Sequence, residues 1–246
     1  MQKNRHKPQS KFLGNAPNRQ WLYPAAVFTI AALVTAVLVE GVLRRGSLTV
    51  WDPPVTCGAL GLRAPWLTSI AQIFTFMGTA WFLVPVAALL VVTLIVKAQY
   101  LQGLIATSTM LTGLGLTSLL KHLIGRDRPP FFHQIGDFLG SYAFPSGHTL
   151  NTFVVIGVLT YFLARGHRRW RNVLVIFWLI HALLVGASRI YLGYHWLTDV
   201  LGGLAIGLAV LCVGYAALLF TTAQQAPHQR DICSAKTDSV GCPWPE

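Results

Sequence analysis

The sequence predicts an all-α integral membrane protein, a helical bundle with six transmembrane helices, and three observations predict it. Only 11% of the 246 residues are charged and 54% are hydrophobic, whereas a soluble domain carries about a quarter charged residues. Apolar runs free of charge recur at lengths that can cross a bilayer. Lysine and arginine gather in the short segments between those runs, where they orient a membrane protein. The formal net charge of +11 is therefore read as topology and not as a nucleic-acid surface.

Residues 1–20 are basic (Lys3, Arg5, Lys7, Lys11, Arg19) and read as a disordered cytoplasmic tail. The run 21–43 is the first span; it is too long for a signal peptide and lacks a small-residue cleavage site. No charge occurs between Arg63 and Lys97, more than one span requires. An interfacial helix over about 65–76, a break near Gly78 and a span to Val96 fit that length. Runs at 100–120, 147–164, 173–187 and 198–220 complete the six. One membrane domain thus covers 21–220, followed by a polar tail at 221–246.

With the N-terminus inside, the inner segments hold Lys3, Arg5, Lys7, Lys11, Arg19, Lys97, Arg165, Arg168, Arg169, Arg171, Arg230 and Lys236. The outer segments hold Arg44, Arg45, Arg63, Lys121, Arg126, Arg128 and Arg189. This bias predicts both termini in the cytoplasm and the outer loops on the periplasmic face of the inner (plasma) membrane. Counting crossings then brings three charged segments to that one face: 121–129, 145–148 and 188–199.

The middle segment frames the question of function. Phe144 to Thr149 reads Phe-Pro-Ser-Gly-His-Thr and opens directly into an uncharged apolar run. A helix start leaves backbone N–H groups unpaired and attracts anions. Around it stand Lys121, Arg128 and Arg189, together with His148 and His195. Guanidinium forks match phosphate oxygens, and a fixed lysine adds a point charge. Such groups stabilise the charge that develops in phosphoryl transfer, each worth about 3–4 kcal/mol. His195 and Asp199 are four residues apart and share a helix face, so the carboxylate can hold one ring nitrogen while the other attacks. His148 is the natural general acid for the leaving oxygen.

Other polar groups receive plainer readings. Arg44, Arg45, Arg63 and Arg126 read as topology anchors, His122 and His133 as solvated, and Asp127 as balancing its arginine neighbours. His181, in mid-span, reads as a structural hydrogen-bonding group. Cys57, Cys212, Cys233 and Cys242 fit neither a disulfide framework nor a zinc site, even with His228 close to the last two. Asp52, Asp127 and Asp137 are scattered, so no metal and no other cofactor is expected.

Lys-x6-Arg-Pro, Pro-Ser-Gly-His and Ser-Arg-x5-His-x3-Asp occur here in order, at 121–129, 145–148 and 188–199. In these motifs the sequence resembles the type 2 phosphatidic acid phosphatases, which share their site with bacterial acid phosphatases and vanadium haloperoxidases. The resemblance spans about 50–215. It implies a six-span core and a metal-independent phosphatase acting through a phosphohistidine. It also implies Lys121, Arg128, Ser146, Gly147, His148 and Arg189 around the phosphate, with His195 as nucleophile and Asp199 orienting it. Trp196-Leu197 departs mildly from the family's usual aromatic-proline pair. The partners expected are a lipid phosphate and the bilayer, with no nucleic acid. Undecaprenyl diphosphate is the first substrate expected, and phosphatidic acid or phosphatidylglycerophosphate the second. A vanadate-dependent haloperoxidase would use the same cradle, but the resemblance there is to large soluble chains. An intramembrane serine protease would need Ser146 in a Gly-x-Ser setting, and a non-catalytic transporter would not depend on His195.

Overall fold

The computed structural model describes residues 21–136 and 140–239. The basic segment 1–20 lies outside the described residues, as do Asp137 and Cys242. Helix α1 (Leu22–Arg44) ends where Arg45 turns left-handed (φ 49°) and Gly46 N–H returns to the Gly41 carbonyl. A 3₁₀ turn at Ser47–Trp51 leads into α2 (Asp52–Gly61), with prolines at its first turn. Helix α3 (Pro65–Met77) and helix α4 (Ala80–Val96) meet at a bend of 43° around Gly78. Helix α5 (Tyr100–Ile124) is closed by Gly125 at φ 62°, a conformation that glycine adopts without strain. Helix α6 (Gly147–Gly166), α7 (Arg171–Tyr191) and α8 (Leu197–Ser239) complete the bundle.

α1, α5, α6, α7 and the Leu197–Thr221 part of α8 are each long and apolar enough to cross a membrane. The bent α3–α4 pair is long and apolar enough only when its two helices are taken together, so the described residues offer five spans, or six with that pair counted as one. Helix α6 is the axis of the bundle: 56% of its span is buried, against 17% for α1. Leu150, Val154 and Val158 of α6 pack with Ile206 and Val210 of α8. Small residues allow this approach, as they do where lipid supplies no hydrophobic drive between helices. A Cβ on Gly203 would lie 2.9 Å from the Ser146 carbonyl oxygen, so α8 is pressed against the very start of α6. That contact fixes the spacing between two of the segments named above.

The sequence-level boundaries agree with the helices to within a few residues, including the break at Gly78. Five features differ from expectation. The short α2 lay unannounced in a segment read as loop, because Asp-Pro-Pro signals a turn and ten residues carry little periodicity. The polar stretch from Thr221 continues α8 as far as Ser239; it begins Thr-Thr-Ala-Gln-Gln-Ala, in which alanine and glutamine favour helix. Arg63 is more than an anchor, since its guanidinium donates to the carbonyls of His133 (2.5 Å) and Tyr191 (2.9 Å) and ties the start of α3 to the end of α7. His133 is correspondingly drawn inward, with Nδ1 buried. His181 makes no structural hydrogen bond: both ring nitrogens are buried without a partner, and the ring stacks on Phe177 at 6.0 Å.

Candidate active site

The C-terminal ends of α5 and α7 and the N-terminal ends of α6 and α8 meet at one end of the bundle. Lys121 comes from the last turn of α5, Arg189 from the last turn of α7 and Asp199 from the first turn of α8. Arg128 follows α5 on a loop, and His195 sits in the turn between α7 and α8. That turn is tight: Gly193 is at φ 79°, and the amides of Tyr194 and His195 both donate to the Arg189 carbonyl. Every predicted site residue is at this end.

His195 is only 2% exposed. Its Nδ1 lies 3.3 Å from Asp199 Oδ2 and its Nε2 lies 3.2 Å from Nη1 of Arg128. A guanidinium donates and never accepts, so Nε2 must carry the lone pair and Nδ1 the proton. Burial, then the positive charges of Arg189, Arg128 and Lys121, push the His195 imidazole well below its ordinary pKa, against a smaller pull from the Ala143 carbonyl. The ring is therefore neutral at neutral pH. A neutral imidazole of that tautomer, with its lone pair beside a guanidinium, can attack a phosphorus held by that guanidinium.

The cations are held from behind. Arg128 donates to the Ser141 carbonyl (2.6 Å), Ser141 Oγ (2.9 Å) and the Tyr194 carbonyl (2.7 Å), and Lys121 Nζ donates to the Tyr142 carbonyl. Arg189, 3% exposed, donates to Thr75 Oγ1 (2.6 Å) and lies over the Tyr194 ring at 4.2 Å. Its Nε is buried with no partner, a donor that an anion would satisfy.

The start of α6 completes the cradle, with one refinement. The Ser146 N–H is already spent on the Asp199 carbonyl (3.0 Å), so the unpaired amides of the first turn are those of Gly147, His148 and Thr149. Ser146 Oγ accepts from Thr149 Oγ1 (3.0 Å), which leaves its own O–H free to donate. A Cβ on Gly147 would fall 2.9 Å from Thr117 Cγ2 on α5, so no side chain fits there. The His148 ring rests against the α3–α4 bend, where a Cβ on Gly78 would lie 3.0 Å from its Cδ2.

The profile of the PAP2 superfamily matches residues 102–223. Phosphatidylglycerophosphatase B of Bacillus subtilis is 31% identical over 189 residues, which are 75% of this chain and 89% of that protein. The chain belongs to the PAP2 superfamily. The crystal structure of the first transmembrane PAP2 type phosphatidylglycerolphosphate phosphatase from Bacillus subtilis superposes with a TM-score of 0.67 at 29% identity, covering 78% of this chain and 95% of that one. An undecaprenyl-diphosphatase of Sulfolobus acidocaldarius is 31% identical over 134 residues, 53% of this chain and 60% of that protein. The chain is thus a multi-pass membrane phosphatase of the PAP2 type, an enzyme that hydrolyses phosphate esters.

In this PAP2 phosphatase one group put aside in the sequence stands within the site. Arg126, read as an anchor, donates from Nη1 to Asp199 Oδ1 (2.5 Å) and from Nη2 to Asp52 Oδ2 (2.5 Å). Asp52, read as scattered, is 2% exposed and also accepts from the N–H (2.9 Å) and Oγ1 (2.8 Å) of Thr198. The available signal was that Asp52 is the only acid between Glu40 and Asp127. A lone carboxylate at the mouth of a membrane bundle has a cation to meet.

Proposed function

We propose that this phosphatase cleaves the terminal phosphate from a lipid at the outer face of the membrane, with His195 as nucleophile. The observation that carries the reading is the buried His195 ring, its Nε2 lying 3.2 Å from the Arg128 guanidinium and its Nδ1 facing Asp199. Phosphate oxygens would exchange for the carbonyl partners of Arg128 and Lys121 and for the unpartnered Nε of Arg189, with Ser146 Oγ and the Gly147 amide completing the cradle. Nε2 then forms a bond to phosphorus as the bond from phosphorus to the lipid oxygen breaks, and His148, which takes up a proton once the phosphate anion has offset the neighbouring cations, gives that proton to the oxygen. Water, losing a proton to His148, next displaces His195 from phosphorus and releases inorganic phosphate. Asp199 keeps its charge against the Nδ1–H throughout.

Phosphatidylglycerophosphate is the first candidate substrate, because the Bacillus subtilis relative, spanned over 89% of its length, is a phosphatidylglycerophosphatase. Undecaprenyl diphosphate, the first expectation from sequence, becomes the second; a relative with that activity is spanned over 60% of its length. The carboxylates of the site are already engaged by Arg126, Thr198 and His195, so the fixed cations take the part a metal plays elsewhere. Purified enzyme, assayed for phosphate release with a strong chelator present, is expected to prefer phosphatidylglycerophosphate over undecaprenyl diphosphate and phosphatidic acid. Loss of turnover in chelator, restored by magnesium, would overturn the chemistry; a preference for the diphosphate would reverse the substrate order.

The outer-face placement has its own test. Cys57 on α2 is exposed at the catalytic end, and Arg169 is exposed at the other. An impermeant thiol reagent should label Cys57 in intact cells, and should label an Arg169→Cys variant lacking Cys57 only after lysis. The reverse pattern would put the site in the cytoplasm.

A further inference from the structure

We infer that Arg126 is a positioning residue of the active site, through which Asp52 on α2 holds the Asp199 carboxylate against His195. The inference rests on the reading of His195 as nucleophile. Asp199 is fully buried and uses both oxygens: Oδ2 accepts from the Trp196 N–H (2.9 Å) and faces His195 Nδ1, and Oδ1 takes Arg126. Without the guanidinium, Oδ1 would be a bare buried anion, and the carboxylate would be free to rotate away from His195. A single contact would not fix the guanidinium plane. Two do: one nitrogen meets Asp199 and the other meets Asp52, a bridge that a planar fork makes and an ammonium does not. Asp52 is locked in turn by the backbone and hydroxyl of Thr198, the residue next to Asp199. The loop of contacts closes on itself, from α2 to the first turn of α8 and back through Arg126.

The charges add a second effect. One cation between two carboxylates leaves one net negative charge behind His195, opposite Lys121, Arg128 and Arg189. Arg126 draws on the charge of Asp199 and so moderates its pull on the imidazole proton. His148 also faces the ring.

The test measures kcat, KM and the pH profile of kcat/KM with nitrophenyl phosphate for full-length Arg126→Gln and Asp52→Asn, with active sites counted by vanadate titration. Both are expected to lower kcat about 10–100-fold per active site, the range for groups that orient a histidine from one contact away, with KM little changed. Arg126→Lys should be as slow as Arg126→Gln. The acid limb of kcat/KM reports protonation of the free enzyme. It should move to higher pH in Arg126→Gln, where Asp199 acts undivided, and to lower pH in Asp52→Asn, where one anion is gone. A damaged fold would lower the count of active sites and leave the limb in place. Wild-type kcat per site in both variants, or a limb unmoved in both, overturns the inference. If Arg126→Gln does not fold, Asp52→Asn decides alone. His195→Ala is measured alongside: turnover in that variant would fell the nucleophile reading itself, whereas a dead His195→Ala beside fully active Arg126 and Asp52 variants would fell only this inference.

Discussion

Replacing His195 with alanine is expected to abolish turnover on every phosphate ester, by on the order of 10⁶-fold, the loss seen when a nucleophile is removed. The bundle should survive the change. Asp199 Oδ2 keeps the Trp196 N–H, and Arg128 keeps its carbonyl and hydroxyl acceptors on Ser141 and Tyr194, so no buried charge is left alone. Because the cations are held from behind and not by the histidine, vanadate should still bind. Rapid quenching of the wild type should trap an acid-labile phosphoryl group that maps to His195. Label recovered on Ser146 would sink the assignment. In the proposed cradle the Ser146 hydroxyl accepts from Thr149 Oγ1 and keeps its own O–H to donate to a phosphate oxygen, a binding role and not that of a nucleophile.

His148→Ala should divide substrates by their leaving groups. A lipid alkoxide leaves poorly and needs its proton, so loss of the general acid should cost about 10²–10⁴-fold in kcat on a lipid monophosphate. Nitrophenolate leaves without a proton, and most of that loss should vanish on nitrophenyl phosphate. Phosphoenzyme should still accumulate with the activated ester, because water must then attack without help. Equal losses on the two substrates would mean that His148 chiefly binds phosphate. The ring lies against the Gly78 bend and carries no backbone hydrogen bond of the cradle, so its removal should leave the other groups in place.

The spans and the three motifs were legible because each is a local signal. Helix α6 declares itself by an uncharged run and by Pro-Ser-Gly-His at its threshold, and the bend of α3–α4 by a charge-free stretch too long for one crossing. The His195–Asp199 contact follows from a spacing of four. What stayed hidden depends on contacts remote in sequence. Arg126 meets Asp52 and Asp199 across separations of 74 and 73 residues, and nothing nearby distinguishes it from an anchor. Its neighbour Asp127 even offered a closer partner on paper. The spent amide of Ser146 was hidden for the same reason, since its acceptor is the carbonyl of Asp199 on another helix. His181 misled in the opposite direction: a polar side chain in mid-span suggested a partner, and it packs as an aromatic ring instead.

The cation partners at the mouth of α6 bear on how the enzyme lets go of what it makes. Arg128 and Lys121 rest on the carbonyls of Ser141, Tyr142 and Tyr194, a loop and a turn that the chain itself keeps within reach. In the proposed mechanism, inorganic phosphate must therefore compete with acceptors tethered at high effective concentration. In that mechanism each phosphate oxygen leaving Arg128 or Lys121 hands its donor back to a carbonyl, and the Nε of Arg189 alone among these donors is left waiting for the next anion. A cradle of three cations and no internal acceptors would seize phosphate and stall. This one, with carbonyls of its own chain behind two of the cations, is built to trade it away.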